Sequence, residues 1–295
     1  MNDFPIPVRS TGAGSQPDDE AGQLQYLEMP RGMNTFAMPR LPERADAAAL
    51  AAARDLLADF LSRMERWNPE RDSEGPWVDM TALSAQARGV ANEVLGEGEV
   101  SIQIGGAPTT FRIQESVFTG LWRCCEFDTA GALCRDWLEA APVPAIALER
   151  SRAGAASVLP AIAVPPGAMN SPALIREIAG QLADRGPGQR AHVLNLTLFP
   201  MTPDDHFVLE RTLPVGPVAL ISRGFGNCRI TSTGVRDVWR VQYFNNMNTL
   251  ILNTIEVVDV PEVALASGED LADSRARLAE LIAWMSESVA EQAAL

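Results

Sequence analysis

Few residues of this 295-residue chain are of types that do covalent or metal chemistry: two histidines, His192 and His206, and four cysteines, Cys124, Cys125, Cys134 and Cys228. A nucleophilic enzyme needs a serine or cysteine beside a general base, most often histidine. His192 lies in a strand-like run and His206 near the start of a predicted helix after Asp204-Asp205, so both read as structural or surface residues. A structural zinc site needs four convergent ligands. Cys124 and Cys125 are adjacent on a predicted strand, where neighbouring side chains point to opposite faces, so the cysteines read as buried thiols. Gly224-Phe225-Gly226 lacks the third glycine and the following helix of a dinucleotide-binding loop, because Asn227-Cys228-Arg229-Ile230-Thr231 leads into a strand. The chain has no lysine, all 24 basic side chains being arginine, which excludes Schiff-base catalysis and the lysine of a phosphate-binding P-loop. No catalytic residue, metal ligand or cofactor is assigned, and the chain reads as a non-enzyme.

Charge narrows the partners. The net charge of -14 and pI of about 4.6 argue against nucleic acid or an anionic membrane, which clustered positive charge would bind. An electropositive partner suits the acidic body. A hydrophobic content of 46% with 21% charged residues is that of a soluble globular protein with a sizeable core. The cysteines form no CxxC pair, the first 20 residues lack an apolar stretch, and no run of about 18 apolar residues occurs. A soluble, cytoplasmic chain with reduced thiols is expected.

The elements that must position these residues are legible from an internal comparison. Trp122-Arg123 and Trp239-Arg240 lie 117 positions apart, and the same shift pairs Arg112-Ile113 with Arg229-Ile230, Phe127 with Phe244, Leu133 with Leu250 and Val143-Pro144 with Val260-Pro261. Over positions 111–148 the shift gives 11 identities in 38 without a gap, the signature of an internal repeat. Each unit opens with a helix, at Leu50 to Met64 after Asp46 as a possible cap, and at Leu174 to Leu182 after Ser171-Pro172. A short strand follows, at Trp77 to Thr81 and at His192 to Phe199, then a second helix, at Ala85 to Leu95 and at Pro203 to Leu213 with Thr202 as its cap. Val238 to Phe244 and Leu250 to Val260 flank Asn245-Asn246-Met247-Asn248 and read as a long hairpin. A final helix spans about Glu269 to Gln292, with Ser267 and Asp270 in capping-box spacing. The predicted fold class is α+β: two similar α/β-hairpin units related by internal duplication, with a flexible N-terminal arm and a C-terminal helix. The arm takes residues 1–45, the first unit 46–165 and the second, with the C-terminal helix, 166–295.

Six segments carry a family resemblance. Gly224 to Thr233, Val238 to Asn245 and Leu250 to Val258 resemble the C-terminal signature of the HupH/HyaF/HoxQ family of NiFe-hydrogenase maturation proteins. Leu27-Glu28-Met29-Pro30, Gly32-Met33-Asn34-Thr35-Phe36 and Leu41-Pro42-Glu43 resemble the family's N-terminal segment. The resemblance covers nearly the whole chain. It implies a cytoplasmic accessory chaperone of an uptake hydrogenase that binds the Fe-S small subunit precursor before export, with other hydrogenase accessory proteins as further partners, and it brings no catalytic residues with it. A metal or Fe-S cluster carrier in the same pathway, using Cys228 with Cys124, Cys125 or Cys134, is the alternative. Arg229, Trp239, Arg240 and Tyr243, which join a glycine-bearing loop to a strand rich in interface-forming groups, are the predicted partner contacts on the body. Met29, Met33 and Phe36 are those on the arm.

Overall fold

The computed structural model describes residues 46–293 apart from 70, 73, 187, 225 and 226. The N-terminal arm, with Met29, Met33 and Phe36, therefore lies outside the described residues. The chain enters helix α1 (Ala47–Arg66), whose Leu50, Leu57, Phe60 and Met64 recur at helical spacing and are all buried. Asp46 is extended and makes no side-chain cap. The helix stops at an extended Trp67, two residues before Pro69, which disfavours helical backbone at the residue preceding it. Strand β1 (Trp77–Asp79) is shorter than predicted, because the Asp79 side chain accepts the Thr81 N–H at 2.8 Å and turns the chain. In α2 (Ala85–Leu95) the Ser84 side chain caps the Ala87 N–H, and Gly96 closes the helix at φ 60°.

Next come β2 (Val100–Ile104), β3 (Thr110–Glu115), β4 (Leu121–Phe127), β5 (Leu133–Ala140) and a short helix α3 (Ala145–Arg152). The second half repeats the order with α4 (Ser171–Asp184), β6 (His192–Asn195), α5 (Pro203–Thr212), β7 (Val215–Ser222), β8 (Asn227–Thr233), β9 (Val238–Phe244) and β10 (Leu250–Val257). The strand expected over 192–199 ends at Asn195, whose side chain accepts the Thr197 N–H and starts a 3-10 turn over Leu196–Leu198. Where the first half has α3, the second has only a 3-10 turn at Glu262–Ala264 before α6 (Gly268–Ala293).

The ten strands among the described residues form one antiparallel sheet in the order β1-β5-β4-β3-β2-β7-β8-β9-β10-β6. Read from either end, the order is the same once each strand is exchanged for its counterpart in the other half. The halves meet where β2 pairs with β7, Ser101 opposite Ile221 and Gln103 opposite Ala219. Trp122 and Trp239 occupy corresponding places in a core on one face of the sheet, donating to the Ala141 and Asp259 carbonyls at 2.9 and 3.2 Å. That core runs across both halves, from Phe111 and Cys124 through Ile102 and Leu220 to Val241.

On the other face the helices gather toward the two ends of the sheet. Helices α1, α2 and α6 bury Leu121, Leu138 and Ala140, with Leu278, Leu281 and Met285 supplied by α6. Helices α4 and α5 bury Val238, Ile255 and Val257. The C-terminal helix, placed by sequence with the second unit, thus completes the core of the first. No helix among the described residues is long and apolar enough to cross a membrane.

Candidate functional site

The residue types that could do chemistry are scattered. Cys124 is buried, and burial pushes its thiol well above the ordinary value. Cys125 points to the opposite face, as strand alternation requires, with its Sγ 3.6 Å from Asp136 Oδ1; burial pushes its thiol up to about 11. The Cys228 thiol is likewise raised to about 11 by burial. Thiols held so firmly protonated are poor nucleophiles. Cys228 on β8 and Cys124 on β4 are separated by β3, β2 and β7, four strand spacings or roughly 19 Å. Among the described residues no three His, Cys, Asp or Glu side chains converge as metal ligands would. His192 Nε2 is 2.8 Å from Glu177 Oε1 at the surface, and His206 is exposed in the first turns of α5.

A different constellation assembles on the helix-bearing face, in the strip left between its two helix groups. The registers set two rows of side chains across the central strands. One runs Cys125, Arg112, Gln103, Ala219, Thr231, Arg240; the other Arg123, Gln114, Ser101, Ile221, Arg229, Gln242. Arg112 and Arg229 are exposed, and each guanidinium lies over an aromatic ring two residues diagonal to it: Arg112 5.0 Å from the centre of Phe127, and Arg229 5.7 Å from that of Phe244. Arg123 forks onto the Asp136 carboxylate at 3.1 and 2.9 Å. Arg88 approaches the same carboxylate at 3.4 Å. In the second half Arg240 makes the matching contact, 3.3 Å to the neutral side-chain oxygen of Asn253.

The sequence-predicted contacts therefore divide. Arg229 and Arg240 lie on this strip. Trp239 is only 3% exposed in the opposite core, because its strand position alternates with Arg240, and it presents no surface to a partner in this arrangement. Tyr243 also points to that opposite face and is partly buried; burial raises its hydroxyl to about 12, with the Cys228 thiol beside it. Phe225 lies outside the described residues. Arg112, Arg123 and the two phenylalanines were missed as site residues, although the 117-residue shift that exposed the repeat pairs each with its counterpart.

A family description, "HupH hydrogenase expression protein, C-terminal conserved region", matches the chain twice, over residues 50–158 and 168–285. The hydrogenase expression/formation protein HoxQ of Cupriavidus necator is 43% identical over 286 residues, 97% of this chain and 99% of the relative. HupH of Rhodobacter capsulatus is 40% identical over 288 residues, covering 96% and 98% of the two chains. The hydrogenase-1 operon protein HyaF of Escherichia coli is 33% identical over 283 residues, 94% and 96%. A solved structure, the hydrogenase expression protein HupH from Thiobacillus denitrificans, aligns at 30% identity over 39% of this chain and 95% of its own, with a TM-score of 0.35.

Proposed function

The chain belongs to the HupH family of hydrogenase expression proteins, and from that premise we propose that it is a non-catalytic chaperone of hydrogenase maturation, holding the Fe-S small subunit precursor in the cytoplasm before export. The observation that carries the chaperone reading is the strip on the sheet, where arginines and aromatic rings stand in matched pairs across both halves while thiols and imidazoles stay apart. Arginine and aromatic side chains are the groups that protein interfaces favour. The symmetric strand order, together with the two matches of one family description, supports an origin of the two halves by duplication, and hence the division at about residue 165.

A cluster-carrier role is disfavoured, since Cys228 on β8 is four strands from Cys124 and Cys125 on β4 and five from Cys134 on β5. The test is co-purification of the tagged chain from cells making hydrogenase, with and without the small subunit. Capture of the small subunit by the unaltered chain, and its weakening in an Arg229→Ala, Arg240→Ala double variant that keeps its circular dichroism, is the expected result. Undiminished capture by a folded double variant removes the strip from the client surface. Failure of the unaltered chain to capture the small subunit removes that client.

A further inference from the structure

The strip on the sheet reverses the sign of the chain that carries it. Against a net charge of -14, its two rows hold Arg112, Arg123, Arg229 and Arg240. The carboxylates that strand alternation places on the same face of β2 to β5 are Asp136, already engaged by Arg88 and Arg123, and Glu99 at the margin, one residue before β2. Arg112 and Arg229 are thus exposed cations held by neutral rings. A guanidinium lying on an aromatic face keeps its N–H edge free for the two oxygens of a carboxylate, in a geometry already partly fixed. Between them the surface is lined by small or neutral side chains, Ser101, Gln103, Ala219 and Ile221, which let a backbone approach and offer amides to it.

The spacing is also defined. Arg112 and Arg229 are three strand steps apart and two residues out of row, so their Cα atoms are separated by roughly 16 Å, about five residues of an extended chain. We propose that the strip binds an extended acidic segment of a partner protein, whose carboxylates four residues apart, and so on one side of the extended chain, engage Arg112 and Arg229 over the neutral centre. The proposal deepens the reading of the chain as a client-binding factor and rests on it for the partner's biological setting, but not for the binding chemistry. A nucleic acid is the poorer fit, because its continuous phosphate charge would meet the acidic surroundings of the strip as well as its arginines.

The test uses the full chain and a fluorescein-labelled peptide of about 14 residues with two glutamates at i and i+4 in a Ser, Ala and Tyr background, with Gln and Arg versions as controls. Fluorescence anisotropy should show saturable binding of the Glu peptide. An Arg112→Gln, Arg229→Gln variant with unchanged circular dichroism and melting temperature should bind it about tenfold more weakly or worse, as expected for losing charge-assisted hydrogen bonds. An Arg112→Lys, Arg229→Lys variant should recover part of the affinity. Unchanged binding of the Glu peptide by the Gln variant overturns the proposal, as does equal binding of the Arg peptide or tighter binding of labelled single-stranded DNA. A dimer in sedimentation equilibrium that the Gln variant dissociates would assign the strip to a second copy instead, also against the proposal. If peptide binding fails while the small subunit still co-purifies, the acidic ligand falls and the chaperone reading stands. If the peptide binds as expected while co-purification fails, the strip stands and the client is another protein.

Discussion

Glu115 shows how one side chain on the sheet can tie stability to pH. Its carboxylate accepts the Gly120 N–H at 2.9 Å in a buried site. Burial raises its pKa to about 7, with the nearby negative charges of Glu99 and Asp270 acting in the same direction. The folded protein therefore holds this proton more tightly than the unfolded chain does. The stabilising contribution is complete below the unfolded value near 4.5 and is lost as pH rises through about 7. Thermal unfolding of the native chain should show this term as a loss of stability between pH 5 and pH 8. Glu115→Gln, which keeps the acceptor for Gly120, should flatten that part of the profile, and identical profiles for the two proteins would refute the assignment. The residue scale also shows where the halves diverge: the arginine partner is Asp136 in the first and Asn253 in the second, so only one of the two corresponding arginines is neutralised.

At the scale of elements, a single carboxylate joins two helices. Asp205 is fully buried, and its Oδ1 accepts from the Asn170 N–H, the Ser171 N–H and the Ser171 hydroxyl at 2.9, 2.8 and 2.8 Å. Its Oδ2 accepts from the Thr202 N–H and hydroxyl, both at 3.0 Å, completing the capping box of α5 while capping α4. Burial alone would raise its pKa, but the hydrogen bonds from Ser171, Thr202 and Asn170 outweigh it and hold the carboxyl well below the ordinary range. With the folded value depressed, the stabilisation is present above the unfolded value near 3.8 and is lost as pH falls toward the folded one. Asp205→Ala strands buried donors at both helix starts and should cost about 2–4 kcal/mol. Urea unfolding at pH 7 would register this as a lower midpoint with an unchanged slope, and the difference from the native chain should shrink in strong acid.

At the scale of the molecule, the halves are not independent. They share a continuous sheet through β2 and β7 and one core face, and α6 returns to fill the core against α1 and α2. Leu278 is fully buried there. Leu278→Ala should lower stability by about 2–5 kcal/mol through lost transfer energy and the cavity left behind. Because the sheet is common to both halves, fluorescence and far-ultraviolet circular dichroism should follow one coincident transition in native chain and variant alike. Separate transitions, with only the earlier one displaced by the substitution, would show instead that the two halves unfold on their own.

Local patterning along the chain sets the kinds and places of most elements, and the motifs it carries identify the family. Their apolar spacing, caps and breakers act over a few residues: Leu50 to Met64 can only make an amphipathic helix, Thr202 with Asp205 only a capped start. The 117-residue self-comparison even marked the four arginines of the strip, since Arg112 and Arg123 map onto Arg229 and Arg240. What it did not fix was which side of the sheet each half would leave open. Trp239 and Arg240 are both expected partner contacts, with Trp239 also readable as core from its match to Trp122; adjacent strand positions face opposite ways, and only the packing of α3 and the helices of both ends decided that the tryptophan side became core. The β2 to β7 pairing and the return of α6 onto α1 join residues more than 100 positions apart. Such contacts depend on surface complementarity in the assembled fold rather than on local propensity, so tertiary structure alone brought the arginine pairs to one face.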